Sequence, residues 1–163
     1  MKKDLKMSKM QPYMKGKPNK EIVDGLTGIL ADTFVLYYKT HTFHWNVVGP
    51  HFRSLHLMFE EQYTEMWNAT DVLAERIRQL DGAVPINLKE LQKKATLQET
   101  GQTPDDMAMV EELANDNLEI VNHIHDVLKK ADEAEDQGTV DMLTLRIEAH
   151  EQAAWMLRST LKK

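Results

Sequence analysis

The sequence contains no cysteine, so disulfide bonds, thiolate metal ligands and a cysteine nucleophile are all excluded. Its 163 residues include only seven glycines and five prolines, a composition that favours long helices. No apolar run is long enough to cross a bilayer, and no apolar segment follows the basic N-terminus, so neither a membrane span nor a secretory signal is predicted. These absences favour a cytoplasmic protein, and the length is that of one domain.

Charge is divided unevenly along the chain. The formal net charge is -6, yet the first twenty residues contain seven lysines and one acid, so that the other 143 residues carry −12. Residues 1–18 lack helical periodicity, and we predict a flexible lysine-rich arm there, followed by one folded domain at 19–163. The arm either keeps the protein soluble or binds DNA phosphates without sequence preference, and the lysines available for DNA contact are Lys2, Lys3, Lys6, Lys9, Lys15 and Lys17.

Four long segments place apolar residues on one face of a helix. They cover about residues 19–48, 52–80, 103–136 and 138–163. The first and last connections are short, whereas the one at 81–103 is long and contains a short helical piece. Short, long and short connections predict an all-α, ferritin-like four-helix bundle with one long crossover that carries a short extra helix.

Local signals mark the ends of these segments. Asn87, followed by Glu90 three residues later, predicts a near capping box at the start of the short helix. Thr103-Pro104-Asp105-Asp106 predicts the start of the third long helix, with Thr103 as the cap and proline at the first position. Gln137-Gly138 predicts the break before the fourth.

Histidine and acidic side chains share one face of the second predicted helix. His56 and Glu60 are four residues apart, as are Asp71 and Glu75, and all four lie within about 100° around the axis. One ion cannot contact both pairs on one helix, because His56 and Asp71 are about 22 Å apart along it. Either these are two unrelated half-sites, or the helix faces an antiparallel copy across a two-fold axis and His44 adds a ligand.

The types of side chain limit the metal. Imidazole and carboxylates without thiolate suit iron, manganese or zinc. The common di-iron site of four-helix bundles uses Glu-x-x-His motifs inside the bundle, and the sequence has none. We therefore expect a site shared between two subunits, with Thr64 and Trp67 near the two-fold axis.

Three motifs together resemble those of the Dps family, the mini-ferritins. They are His44-Trp45-x-Val47-x-Gly49, Leu55-His56-x-x-x-Glu60 and Asp71-x-Leu73-Ala74-Glu75-Arg76. The resemblance implies a homo-dodecameric shell built from two-fold dimers, with ferroxidase sites at the dimer interfaces. It also implies that Fe²⁺ is oxidised mainly by hydrogen peroxide, with dioxygen as the other oxidant, that ferric mineral is stored, and that DNA is protected under oxidative stress.

The resemblance also assigns residues to the ferroxidase site. His44, His56 and Glu60 would come from one subunit, and Asp71 and Glu75 from its two-fold neighbour, all serving as catalytic and iron-binding residues. Many family members carry aspartate where this chain has Glu60, whose carboxylate lies one methylene further out. That difference leaves open the occupancy of a second iron at each site.

Acidic residues also cluster near the last predicted turn, at Asp132, Glu133, Glu135, Asp136 and Asp141. A solvated turn is the simplest interpretation. The resemblance offers another, since this region lines three-fold pores in the family, where negative potential would attract Fe²⁺. The candidate pore residues are Asp136 and Asp141.

Other notable side chains receive structural interpretations. Trp45 and Trp67 are interpreted as packing aromatics, His41 as a surface or interface residue and His150 as a core residue. The three remaining histidines, His51, His123 and His125, are interpreted as turn or structural residues.

Two alternative functions stay open. One is an iron store and peroxide scavenger that does not bind DNA, and the other is a non-catalytic helical shell or interaction protein. If the arm binds DNA, the cytoplasmic protein would be found at the nucleoid.

Overall fold

The computed structural model describes residues 20–161, and no strand occurs among them. Four long helices and one short one are present: α1 Lys20–Asn46, α2 Phe52–Gln79, α3 Leu88–Gln92, α4 Asp106–Glu133 and α5 Gln137–Leu161. The all-α, ferritin-like bundle with a helix-bearing crossover is thus confirmed. The predicted arm at 1–18 lies outside the described residues.

The helices pack as two pairs, α1 with α2 and α4 with α5, and α1 also packs on α4. Because short turns join the helices within each pair, partners run antiparallel. Every long helix supplies fully buried side chains, each stabilising the fold by about 1.5–3 kcal/mol relative to exposure. The core includes Ile22, Leu26, Ile29, Leu36, Phe59, Leu73, Ile77, Leu113, Ile120, Ile124, Leu143 and Leu157.

Two of the predicted helix boundaries need correction. Asp105, not Thr103, caps α4, since its carboxylate accepts a hydrogen bond from the Ala108 N–H at 2.9 Å. The break before α5 lies at residues 134–136, where Glu135 adopts a φ of 57°, and Gln137-Gly138 already forms the first turn of α5. The predicted cap of α3 is confirmed, because Asn87 Oδ1 accepts from the Glu90 N–H at 2.9 Å.

A buried aspartate anchors the crossover to the bundle. Asp32 on α1 accepts hydrogen bonds from the backbone N–H groups of Thr96 (2.6 Å) and Leu97 (3.0 Å), from the Thr96 hydroxyl (2.9 Å), and from His123 Nδ1 of α4 (2.8 Å). Burial alone would raise the pKa of Asp32, but these hydrogen bonds outweigh it and lower the pKa. The predicted structural role of His123 is confirmed, whereas His125 is exposed.

The interpretation of His150 as a satisfied core residue is also confirmed. Its Nδ1 contacts Asn117 Oδ1 at 2.8 Å and its Nε2 contacts Arg146 Nη2 at 3.1 Å. Burial, helped by the adjacent Arg146 charge, lowers the pKa of His150 to about 3.

His150 should make the free energy of unfolding depend on pH. In the unfolded chain the His150 imidazole is protonated below its ordinary pKa of 6.5, whereas in the folded chain it stays neutral down to about pH 3. Stability should therefore fall by about 1.4 kcal/mol per pH unit in that window on account of this residue. We expect urea unfolding between pH 7 and 5 to show a shallower pH slope in His150→Gln, and an unchanged slope would contradict this.

Candidate metal centre

Two histidines meet where α1 ends and α2 begins. His44 lies in the last turn of α1 and His56 in the second turn of α2, and the turn between these helices brings their rings into a stack. The ring centroids are 3.7 Å apart and the planes differ by 17°. His44 is only 8% exposed, and His56 is half-buried.

Each of the two rings is oriented by the backbone of the other residue. His44 Nδ1 lies 2.8 Å from the His56 carbonyl oxygen, and His56 Nδ1 lies 2.8 Å from the His44 carbonyl oxygen. Because a carbonyl oxygen only accepts, each Nδ1 carries the proton, and in the neutral rings each Nε2 keeps a lone pair. Histidines that bind metals are commonly held in this way, so the pair is prepared as two nitrogen ligands.

Further aromatic rings pack around the histidine pair. Tyr63 meets the His44 ring edge-on with 5.2 Å between ring centroids, and Phe52 packs on His56 with 5.0 Å between ring centroids. His41 stacks on Tyr63 at 3.8 Å and contacts Trp45 at 4.1 Å. Burial, and then the nearby His44, lowers the pKa of His41. Tyr63 and Phe52 were not among the predicted site residues, although Tyr63 follows His56 by seven residues and therefore lies on the same helix face.

The carboxylates of the predicted site lie along the exposed face of α2. Glu60, one turn after His56, is exposed and lies near Tyr63, whose pKa is raised by burial and then by the Glu60 charge. Asp71 and Glu75 are also exposed, and Asp71 lines an open groove of about 570 Å³ together with Trp67 and residues of the crossover. Within residues 20–161 of one chain, no three His, Asp or Glu side chains converge closely enough to hold a metal ion.

The two tryptophans each pack against another ring of the subunit and are otherwise exposed. Trp45 is 58% exposed and packs on His41, and Trp67 is 53% exposed. Trp67 contacts Tyr37 at 5.3 Å. An exposed tryptophan beside the Asp71 groove leaves a sizeable apolar surface next to the predicted metal ligands.

The two candidate pore residues differ in their surroundings. Asp136 is buried and binds Arg76 Nη2 at 2.5 Å and the Thr139 hydroxyl, so its carboxylate is engaged within the subunit. Asp141 is exposed. The pairing of Arg76 with Asp136 links α2 to the turn before α5. It was not predictable from the sequence pattern, because the two residues are sixty positions apart.

His51, interpreted as a turn residue, precedes α2 and its Nδ1 lies 3.0 Å from Asp106 Oδ2 at the start of α4. This contact lowers the pKa of Asp106 and ties the α1–α2 turn to α4.

None of the helices in the described part of the chain has an apolar stretch long enough to span a membrane.

Comparisons with known proteins place this geometry among ferritin-like chains. Residues 23–163 match the ferritin-like domain family. A DNA protection during starvation protein of Brevibacillus brevis is 38% identical over 133 residues, which cover 82% of this chain and 89% of that protein. A low temperature-induced protein of Nostoc sp. is 41% identical over 143 residues, covering 86% of this chain and 80% of that protein.

Solved structures agree with this placement. Dps from Thermosynechococcus elongatus superposes with a TM-score of 0.87 at 32% identity, covering 90% of this chain and 93% of the other. Dps from Vibrio cholerae, described as a member of a broad superfamily of ferritin-like diiron-carboxylate proteins, gives a TM-score of 0.85 at 30% identity, covering 89% and 91%.

Proposed function

Because the chain belongs to the Dps family of ferritin-like proteins, we propose that it is a mini-ferritin that oxidises Fe²⁺ and stores the ferric product inside a shell. The observation that carries this proposal is the stacked His44–His56 pair, whose Nδ1 atoms are bound to carbonyl oxygens and whose Nε2 atoms keep their lone pairs. Two such nitrogens, together with nearby carboxylates and no thiolate, suit Fe²⁺ as a substrate.

The proposed site is completed by a second subunit. His44, His56 and Glu60 of one chain would bind Fe²⁺ together with Asp71 and Glu75 of the partner subunit. In support, all three acids are exposed along α2, and the open groove beside Asp71 contains the exposed Trp67. If the α2 helices of two subunits lie antiparallel, His56 and Glu60 of each subunit lie opposite Asp71 and Glu75 of the partner. The two-fold symmetry then creates two equal sites.

The chemistry then follows from the ligands. Nitrogen and carboxylate ligands hold the Fe²⁺ ions and leave positions open for the oxidant. Hydrogen peroxide takes one electron from each of two Fe²⁺ ions and, with two protons, leaves two Fe³⁺ and two water molecules. Because the peroxide receives both electrons at one site, it is reduced to water without release of hydroxyl radical. The second Fe²⁺ ion is proposed to bind at the same shared site as the first, and dioxygen is the alternative oxidant.

The proposed assembly is a homo-dodecamer built from two-fold dimers. Its interior would hold the mineral, and Asp141 is the more accessible of the two candidate residues for attracting Fe²⁺ at a three-fold pore, because Asp136 is bound to Arg76. A particle near twelve subunits by light scattering would support the shell. A plain dimer would leave no cavity for storage.

Mixing two inactive variants tests whether the site is shared. His44→Ala/His56→Ala subunits keep the acids, and Asp71→Ala/Glu75→Ala subunits keep the histidines. A mixed dimer therefore retains one complete site if ligands come from both chains. With random pairing, refolded mixtures should recover about one quarter of the wild-type rate of peroxide-driven Fe²⁺ oxidation. If each site lies within one chain, mixing will restore nothing.

We further propose that the lysine arm binds DNA without sequence preference, which would place the protein at the nucleoid. We expect a gel shift at low salt that weakens steeply as salt rises, because phosphate contacts release counterions. Deleting residues 1–18 should abolish the shift while iron oxidation stays unchanged. If the full chain gives no shift at low salt, the alternative holds, an iron store and peroxide scavenger that does not bind DNA.

The non-catalytic alternative, a helical shell or interaction protein, predicts a different result. Such a protein would contain no ferric iron after aerobic loading with Fe²⁺. The proposed mini-ferritin would retain it through gel filtration.

A further inference from the structure

A buried network of polar side chains joins α2, α4 and α5 inside the bundle. Arg146 on α5 pairs with the carboxylate of Glu65 on α2, through Nη1 to Oε1 and through Nη2 to Oε2 at 3.1 Å. The same Nη2 lies 3.1 Å from His150 Nε2, and His150 Nδ1 lies 2.8 Å from Asn117 Oδ1 on α4. Arg146 and His150 are buried, and the half-exposed Glu65 closes the outer end.

Proton positions in this network follow from the guanidinium, which only donates. His150 Nε2 must therefore accept from Arg146, and His150 Nδ1–H donates to Asn117. The ring is neutral, in agreement with the pKa of about 3 that its burial produces. Both oxygens of one carboxylate and one imidazole lone pair thus converge on a single cationic group, as they would on a transition metal ion.

Another polar side chain, Gln62, lies beside this four-residue network. Gln62 is only 9% exposed, and neither atom of its amide forms a hydrogen bond within the described part of the chain. It lines a cavity of about 170 Å³ together with Glu65, Asn117 and His150. The amide oxygen is a suitable ligand for a cation, whereas leaving it unpaired in the interior is unfavourable.

Other ferritin-like proteins hold metal in the bundle core, through inward-facing glutamates and histidines. The core residues of this chain do not fit such a centre, because a guanidinium already lies between Glu65 and His150. We infer that Arg146 acts as a built-in cation that takes the place of a core metal ion and excludes metal from the bundle interior. Its positive charge repels a second cation, and it occupies both ligands. This inference goes beyond the proposed function and does not depend on it.

Removing the guanidinium should expose a metal site. The background is His44→Ala/His56→Ala, which removes the candidate interface ligands, and Co²⁺ serves as the spectroscopic probe. We expect the background protein to bind no Co²⁺ tightly. Adding Arg146→Ser should produce the visible absorption of Co²⁺ bound by nitrogen and oxygen, at about one ion per chain and at least about tenfold tighter than in the background.

Matched variants distinguish this site from surface binding. Arg146→Lys keeps a cation in place and should bind no more Co²⁺ than the background. Adding Glu65→Gln to the Arg146→Ser protein should return Co²⁺ binding to background. Equal binding by the Arg146→Ser and Arg146→Lys proteins, or binding that survives Glu65→Gln, would overturn the inference.

Folding of the Arg146→Ser protein is followed by circular dichroism. If it is folded and shows no additional Co²⁺ absorption, the inference is wrong. If it is unfolded without metal, Co²⁺ should restore the helical signal, because metal binding to a completed site contributes folding free energy. Failure of Co²⁺ to restore that signal would equally overturn the inference.

Discussion

Peroxide-driven oxidation of Fe²⁺ should fall by about two orders of magnitude when His44 and His56 are both replaced by alanine. The two side chains are the only nitrogen ligands in the proposed site, and their Nε2 atoms are prepared by hydrogen bonds to backbone carbonyls. Carboxylates alone bind Fe²⁺ more weakly and hold it less firmly for the oxidant. Stopped-flow absorbance of the ferric product, started with peroxide under anaerobic conditions, measures the rate.

Single substitutions sharpen this experiment. The group that orients each ring is a backbone carbonyl, so His44→Ala leaves the acceptor of His56 in place, and the reverse also holds. Each single variant should therefore lose one ligand without misorienting the other. His125→Ala, which removes an exposed histidine from α4, is the matched control and should oxidise Fe²⁺ at the wild-type rate. Equal rates in the double variant and the wild type would contradict the site assignment.

Asp32→Ala should lower the free energy of unfolding by about 3–5 kcal/mol. The substitution removes the acceptor of four hydrogen bonds and leaves two backbone N–H groups, of Thr96 and Leu97, without their partner in the part of the crossover between α3 and α4. His123 also loses its contact. Urea unfolding followed by circular dichroism at pH 7 gives the difference directly.

A control and a pH series test the cause of this loss. Asp126→Ala removes an exposed carboxylate from α4 and should change stability by no more than about 0.5 kcal/mol. The folded pKa of Asp32 is lowered below its ordinary value of 3.8, so its stabilising contribution is complete above that pH and declines as pH falls through the folded value. The stability difference between the wild type and Asp32→Ala should therefore become smaller in strong acid, and a constant difference would contradict the assigned cause.

Much of the fold was predictable from the sequence, because its signals are local. Helical periodicity over about 25 residues depends only on the geometry of one helix, and four such segments with short, long and short connections allow few arrangements. The same geometry placed His56, Glu60, Asp71 and Glu75 on one face of α2. The short connection predicted after the first helix implied that His44 would lie on the side of His56.

Contacts between distant segments were not predictable. Thr103 and Asp105 are both residue types that cap helices, and in the structure the helix begins after Asp105. In the sequence Asp136 is one acid among several, whereas in the structure it pairs with Arg76, sixty positions earlier. The pairs Asp32–His123 and Glu65–Arg146 likewise join different helices.

The sequence by itself therefore determined the helices, their order and the face that carries the candidate ligands, since each of these follows from the spacing of residues along one helix. Only the tertiary structure decided which nitrogen of His44 and His56 is available to a metal, that Trp45 and Trp67 are exposed, and that an arginine occupies the bundle core. The physical reason is that a hydrogen bond or a buried charge depends on which groups of other helices surround it, and packing alone sets those neighbours.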